Sequence, residues 1–108
     1  MIVVVCPGQG SQTPGFMLPW LDLPAFRSSI EAMQSAAGID LIAHGTVSDA
    51  DTIRDTSVAQ PLIVSAGVAT LAALFGETGK VSSKITGVAG HSVGEVTAAV
   101  VASCTKAW

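Results

Sequence analysis

The stretch that decides the fold lies at residues 85–102 and reads Ile-Thr-Gly-Val-Ala-Gly-His-Ser-Val-Gly-Glu-Val-Thr-Ala-Ala-Val-Val-Ala. Its first five residues predict a short buried strand, and residues 93–102 predict a helix that follows almost without a connection. Between them, Gly90-His91-Ser92-Val93-Gly94 fits the pattern Gly-x-Ser-x-Gly. A strand, a sharp turn and a helix around this pattern are typical of a nucleophile elbow, whose turn lifts the serine hydroxyl above the sheet edge. We therefore predict that Ser92 is a nucleophile rather than a serine that only caps the last helix.

A second glycine-rich segment follows the other predicted strand. Residues 2–6 are all apolar and predict a strand buried on both faces, and Pro7-Gly8-Gln9-Gly10-Ser11-Gln12 comes directly after it. The segment lacks the Lys-Ser/Thr pair of a P-loop and the pattern Gly-x-Gly-x-x-Gly. Because the carboxyl ends of parallel strands meet at one edge of a sheet, we expect this loop to lie beside the elbow. Its backbone N–H groups can then supply half of an oxyanion hole.

The rest of the chain has helical periodicity interrupted by glycines and polar segments. The expected elements are a helix over 25–37 ended by Gly38, a helical segment over 39–44 closed by Gly45, a polar surface segment over 48–54, a long buried helix capped by Thr56 or Ser57 and ended near Gly76, and an exposed turn over 77–84. The order strand, loop, helices, strand, turn, helix predicts an α/β fold with a parallel sheet. Only two strands are visible, so the predicted sheet is partial.

The composition is unusual for a small complete domain. Charged residues make up 12% of the 108 residues and apolar residues 49%, whereas a typical soluble domain has about 25% charged residues. These values suit a slice of a larger core. The net charge is −3 and the five basic residues are scattered, which argues against a nucleic-acid or anionic membrane partner.

Other classes of protein are disfavoured by local patterns. Residues 56–76 contain no charge and are long enough to span a bilayer, but they hold Gln60-Pro61 and lack basic flanks, so we predict a buried helix. The first residues do not form a signal peptide, and we expect a cytoplasmic protein. Cys6, far from Cys104, is expected to be a small core residue rather than a disulfide partner, and no Cys/His cluster has metal-ligand spacing.

Three motifs in this order resemble the malonyl-CoA:acyl carrier protein transacylases: residues 7–12, Gln60-Pro61 opening a long apolar helix, and residues 90–95. The stretch 18–24 looks like the actinobacterial form. The resemblance implies that residues 1–108 are the N-terminal portion of one incomplete acyltransferase domain, within its large α/β-hydrolase-like subdomain. The similar pattern ends near Ala102, and residues 103–108 do not align by their motifs.

The resemblance also implies roles for five residues. Ser92 would attack the thioester of malonyl-CoA and hold malonyl as an ester, before transfer to the phosphopantetheine thiol of acyl carrier protein in fatty acid biosynthesis. The backbone N–H groups of Gln9 and Val93 would form the oxyanion hole. His91 and Gln60 would line the site. Coenzyme A would be a substrate, with no bound cofactor and no metal.

A serine hydroxyl needs a base to become a good nucleophile, and the chain offers few candidates. His91 is next to Ser92, where neighbouring side chains diverge in a tight turn, and His44 is expected to be a surface or helix-end histidine. In the resembling family, the base histidine and the carboxylate-binding arginine lie far beyond the elbow, and neither Arg27 nor Arg54 matches that arginine. We therefore expect little or no turnover from these 108 residues alone.

Three alternatives remain at the level of sequence. An α/β-hydrolase esterase shares Gly-x-Ser-x-Gly but does not explain the loop at residues 7–12. The acyltransferase domain of a polyketide synthase shares both motifs, although Met1 stands directly before the first strand. A truncated fragment that is inert, or that borrows the fold for binding, agrees with the shortage of charge and of strands.

Overall fold

The computed structural model describes residues 2–75 and 85–106. The elements follow one another as strand β1 (Val3–Cys6), a 3-10 turn (Trp20–Asp22), helices α1 (Pro24–Ala37), α2 (Leu41–Thr46), α3 (Ala50–Arg54) and α4 (Thr56–Phe75), strand β2 (Gly87–Gly90) and helix α5 (Gly94–Lys106). The predicted α/β order is confirmed. The exposed turn predicted over 77–84 lies outside the described residues.

The two strands pair in parallel, as the order of elements predicted. Val3 lies opposite Gly87 and Cys6 opposite Gly90, so that both strands end at the same edge of the sheet. The prediction that the first strand is buried on both faces is wrong, because Val5 is 72% exposed and Val3 is 54% exposed. Among the described residues, β1 has a strand on one edge only, and its other edge is open.

Helix α4 is the central element of the core. On one side it packs against α1, α2 and α3, and the shared core consists mainly of fully buried apolar side chains: Met17, Phe26, Ile30, Leu41, Ile53 and Leu62. On the other side, Ala59 and Ile63 pack against Val93 at the elbow. Of the described helices, only α4 is long and apolar enough to cross a membrane. Because α4 packs against other elements on both sides, it is a core helix, as the sequence predicted.

Gly38 and Gly45 have different roles, because the first ends a helix and the second lies inside one. Gly38 has φ 68° and donates its N–H to the carbonyl of Gln34 at 3.0 Å, which confirms the predicted end of α1. Gly45 does not close α2, which continues to Thr46. A Cβ on Gly45 would lie 2.6 Å from Cγ of Met17, a residue with no exposed surface. Gly45 is therefore a packing glycine inside the helix, and the prediction of a helix end there is wrong.

The start of α4 is capped by an aspartate that the sequence analysis did not select. Asp55 Oδ1 accepts from the N–H of Ser57 at 2.9 Å and from its hydroxyl at 2.6 Å. These hydrogen bonds lower the pKa of Asp55 below its usual value. Thr56 and Ser57 are thus the first residues of the helix and not its cap. Residues 48–54 were predicted to be a polar surface segment. The structure has helix α3 within this range, and Ile53 of that helix is buried.

Replacing Phe26 by alanine should destabilise the helical part of the core. The side chain is 1% exposed and its ring centroid lies 5.6 Å from that of Trp20. We expect Phe26→Ala to lower the free energy of unfolding by about 3–5 kcal/mol. Val47→Ala, at a residue that is 82% exposed, should change it by less than about 0.5 kcal/mol. Urea titrations followed by far-UV circular dichroism measure both, and equal losses would contradict this core assignment.

The cap at Asp55 predicts a pH-dependent difference in stability. Its folded pKa is lowered below an unfolded value of about 3.9, so its contribution is present above that pH and is lost as pH falls through the folded pKa. Asp55→Ala should therefore melt at a lower temperature than the parent at pH 7, and the difference should shrink below about pH 3.9. Asp55→Asn keeps an acceptor and should stay close to the parent at pH 7. Equal melting of Asp55→Ala and the parent at pH 7 would refute the cap.

Candidate functional site

The turn between β2 and α5 holds Ser92 in a strained backbone conformation. Only His91, Ser92 and Val93 separate the strand from the helix. Ser92 has φ 57°, and no other non-glycine residue in the described ranges has a positive φ. A serine in this region of conformational space is uncommon and costs free energy, which is the signature of a nucleophile elbow. The side chain is exposed, so the hydroxyl is accessible at the sheet edge.

The glycines on either side of the elbow allow two backbone segments to approach closely. A Cβ on Gly90 would lie 2.6 Å from the amide nitrogen of Glu95, and one on Gly94 would lie 2.6 Å from the carbonyl oxygen of Pro7. Real Cβ contacts essentially never come closer than 3.0 Å. Gly90 lets the turn fold back onto the start of α5, and Gly94 lets α5 pack on the loop after β1.

The loop after β1 lies directly against the elbow, as the sequence predicted. The N–H of His91 donates to the carbonyl of Cys6 at 3.1 Å. A Cβ on Gly8 would lie 2.6 Å from the carbonyl oxygen of His91 and 3.2 Å from Cβ of Ser92. The two glycine-rich segments therefore form one surface at the carboxyl ends of the strands.

Two glutamine side chains tie this loop to the helices on the other side. Gln9 Nε2 donates to the carbonyl of Arg54 at 3.2 Å and to the hydroxyl of Thr56 at 3.3 Å. Gln12 Nε2 donates to the carbonyl of Ile53 at 2.9 Å. The positioning role of Gln12 was not predicted from the sequence. The sequence signal for this role was a side-chain amide, which can donate to a backbone carbonyl, in a loop without apolar residues.

The hydrogen-bond pattern leaves the two backbone N–H groups that were predicted for an oxyanion hole without an acceptor. The N–H groups of Gly94 and Glu95 donate to the carbonyls of His91 and Ser92 at 3.0 and 2.9 Å. Within the described part of the chain, the N–H groups of Gln9 and Val93 donate no hydrogen bond. Free N–H groups on the loop and at the start of α5 can donate to a negatively charged oxygen.

The other two residues predicted to line the site are both exposed. His91 is exposed, and a Cβ on Gly8 would lie 2.9 Å from its Nδ1, so its ring stands against the loop. Gln60 is exposed on α4, next to Ala59, which packs on Val93. Neither side chain forms a hydrogen bond with Ser92 among the described residues.

No base for Ser92 is found in the ranges that the structure describes. His44 is half-buried at the end of α2, where its Nδ1 lies 3.0 Å from the hydroxyl of Ser48. Arg27 donates from Nε to the carbonyl of Leu21 at 3.1 Å, and Arg54 forms an exposed ion pair with Asp51 at 3.2 Å. The two arginines are thus engaged elsewhere.

The environment of Cys6 agrees with a structural role. Cys6 is a free thiol, it is 3% exposed, and burial raises its pKa, so the thiolate is disfavoured. The prediction of a small core residue is confirmed. Among residues 2–75 and 85–106, no group of three or more histidine, cysteine or acidic side chains could hold a metal ion.

A parallel α/β sheet that presents a strained serine between a strand and a helix defines the class of proteins with a nucleophile elbow. Comparison with known families places the chain within that class. The sequence profile of the acyl transferase domain matches residues 3–107, and the chain belongs to this family. The matched range includes residues 103–107, which did not align by their motifs.

Individual relatives agree with this assignment. The chain is 44% identical, over 99% of its length, to the malonyl CoA-acyl carrier protein transacylase of Mycobacterium tuberculosis, and 37% identical, over 94% of its length, to erythronolide synthase EryA3 of Saccharopolyspora erythraea. It spans 35% of the first relative and 3% of the second. The crystal structure of MCAT from Mycobacterium tuberculosis superposes with a TM-score of 0.83 at 44% identity, covering 94% of this chain and 33% of that one. The chain therefore corresponds to about a third of these transacylases.

The contact between the loop and the elbow can be tested with two glycine variants. Gly94→Ala places a methyl group against the carbonyls of Cys6 and Pro7 and should lower the free energy of unfolding by about 1–3 kcal/mol. The matched control is Gly87→Ala in β2, where the nearest atom to a new Cβ would be 3.7 Å away, and its stability should not fall. Urea midpoints measure the pair. An unchanged midpoint for Gly94→Ala would contradict the close approach.

Proposed function

We propose that this chain carries the nucleophile-bearing part of a malonyl-CoA:acyl carrier protein transacylase of fatty acid biosynthesis. The observation that supports it most is Ser92, held at φ 57° between β2 and α5 with the loop of residues 7–12 packed against it. The identity of 44%, over 99% of the chain, to a transacylase of this name also supports it.

The proposed reaction is a double displacement. The hydroxyl oxygen of Ser92 attacks the thioester carbonyl of malonyl-CoA, and collapse of the tetrahedral intermediate expels the thiol of coenzyme A and leaves a malonyl ester. The phosphopantetheine thiol of acyl carrier protein then attacks that ester and restores the hydroxyl. The N–H groups of Gln9 and Val93 donate to the oxyanion in both steps. The reaction needs no bound cofactor, because Ser92 itself carries the acyl group.

The remaining roles complete the site. In this proposal His91 and Gln60 line the entrance to Ser92, and the exposure of both side chains agrees with that role. The base histidine and the arginine for the malonyl carboxylate belong, in this proposal, to the two thirds of the fold that this chain does not contain. The substrates are soluble thioesters, and the proposed location of the reaction is the cytoplasm.

Acyl transfer in a polyketide pathway is the second candidate, and the 37% identity to erythronolide synthase supports it. The transacylase is favoured, because its identity is higher at 44% and extends over 99% of the chain.

The decisive experiment joins residues 1–102 to the remaining two thirds of the Mycobacterium tuberculosis relative. We expect this chimera to transfer malonyl from coenzyme A to acyl carrier protein, and Ser92→Ala to reduce the rate by more than about a thousandfold. Ser28→Ala, at an exposed position of α1, should leave the rate unchanged. The 108-residue chain alone should show little or no turnover, because no base for Ser92 is found among the residues that the structure describes.

Two results would contradict the proposed function. One is a folded chimera that does not form a malonyl ester on the peptide containing Ser92, as seen by mass spectrometry. The other is activity that survives Ser92→Ala. Faster release of p-nitrophenol from a simple ester than transfer from malonyl-CoA would instead indicate an esterase.

A further inference from the structure

The side chains of Ser11 and Gln12 form hydrogen bonds with the backbone of their own loop. The hydroxyl of Ser11 donates to the carbonyl of Gly8 at 2.9 Å, and the N–H of the same residue donates to that oxygen at 3.4 Å. Gln12 Oε1 accepts from the N–H of Gly10 at 2.8 Å. Gly10 has φ 111°, a backbone conformation that residues with a side chain rarely adopt. The two side chains therefore fix the backbone on both sides of Gln9.

These hydrogen bonds act on the two peptide groups that meet at Gln9. The carbonyl of Gly8 and the N–H of Gln9 belong to one planar peptide group, which is trans like the others in the described residues. In a trans peptide group the N–H points opposite to the carbonyl, so the bond from Ser11 sets the direction of the Gln9 N–H. Gln12 holds the next peptide group by the N–H of Gly10. The Gln9 N–H can therefore change direction only when these hydrogen bonds break.

The loop is also anchored to the helices that support the elbow. Gln12 Nε2 donates to the carbonyl of Ile53 in α3, a residue whose side chain is buried in the core. Helix α3 packs against α4, and Ala59 of α4 packs against Val93 at the elbow. The same pair of helices thus supports the loop that contains Gln9 and the turn that contains Val93.

We propose that Ser11 and Gln12 are positioning residues for the chemistry of Ser92. They hold the Gln9 N–H in one direction before the substrate binds, so that it donates to the oxyanion without reorganisation when the tetrahedral intermediate forms. A donor that is already oriented stabilises such a charge more than one that must first turn. The inference rests on the proposed function, which supplies the role of the Gln9 N–H. It assigns a part in the rate to two side chains that act only through the backbone of Gln9.

The experiment uses the chimera that contains residues 1–102 of this chain. Gln12→Met removes both hydrogen bonds of the side chain and keeps its length. The rate of malonyl-ester formation on Ser92 at saturating malonyl-CoA should fall at least about tenfold, a part of the loss that follows removal of an oxyanion-hole donor. The malonyl-CoA concentration at half-maximal rate should change by less than about twofold, because the oxyanion exists only in the tetrahedral intermediate.

Gln34→Met is the matched control. Gln34 is half-buried like Gln12, and its Oε1 also accepts from a backbone N–H, that of Ile42 at 2.9 Å, but this bond joins α1 to α2. Both variants should melt at a lower temperature than the parent, and only Gln12→Met should lower the rate. Ser11→Ala should lower the rate about fivefold, the factor that corresponds to one hydrogen bond. Ser11→Thr keeps the hydroxyl and should stay close to the parent.

Reaction with a fluorophosphonate tests the positioning role without malonyl-CoA or acyl carrier protein. Ser92 Oγ forms a bond to phosphorus, fluoride leaves, and the hydroxyl proton passes to the base of the complete site. The phosphoryl oxygen takes the place of the oxyanion, so the rates of the variants should follow the same order, measured by mass spectrometry of the peptide that contains Ser92. This order without any malonyl ester would support the positioning role and count against the proposed function.

Equal rates for Gln12→Met and Gln34→Met would overturn the inference, and so would equal rates for Ser11→Ala and Ser11→Thr, the pair that decides if Gln12→Met does not fold. Hydrogen exchange in the 108-residue chain needs no activity. The N–H of Gly10 should exchange about fivefold faster in Gln12→Met than in Gln34→Met. Equal exchange would show that Gln12 does not hold this peptide group, and the inference would then be wrong.

Discussion

The close approach of two backbone segments at the carboxyl ends of the strands is the constraint on which the site depends. It requires glycine at positions 8, 90 and 94, because a Cβ at any of them would meet backbone atoms at less than 3.0 Å. The hydrogen bond from His91 to the carbonyl of Cys6 fixes the same contact. These contacts bring the loop that contains Gln9 against the turn that contains Ser92 and Val93. Without the glycines, the loop and the elbow would be separate features.

The sequence was sufficient to predict these features because their signals are local. Gly-x-Ser-x-Gly stands between an apolar strand and a helix, and the loop of residues 7–12 follows a strand directly. Because the two strands pair in parallel, the elbow and the loop both lie at the edge of the sheet where the strands end. Helix boundaries were harder to predict, because they depend on contacts distant in sequence. Gly45 looks like a helix end until its contact with Met17 is known. Asp55 caps α4 because its carboxylate accepts from both the N–H and the hydroxyl of Ser57.

The exposure of β1 shows a different limit of prediction. Its apolar sequence encodes the environment of a complete fold, and the described part of this chain provides only a piece of that environment. Helix α4 shows the same relation, since it is apolar on the side of the helices and on the side of the sheet and therefore carries no charge along its length. The low share of charged residues follows from these two elements. The low share of charged residues thus indicated a fold larger than 108 residues, which the length of the chain did not indicate.

The backbone conformation of Ser92 has a consequence for engineering. A positive φ costs a serine about 1–3 kcal/mol, whereas glycine adopts it freely and asparagine adopts it more readily than most residues. Selection for thermal stability alone would therefore favour replacing Ser92, the residue proposed as the nucleophile. Directed evolution of a protein built on this elbow would then need a simultaneous selection for catalysis, because the substitution that relieves the backbone strain removes the proposed nucleophile.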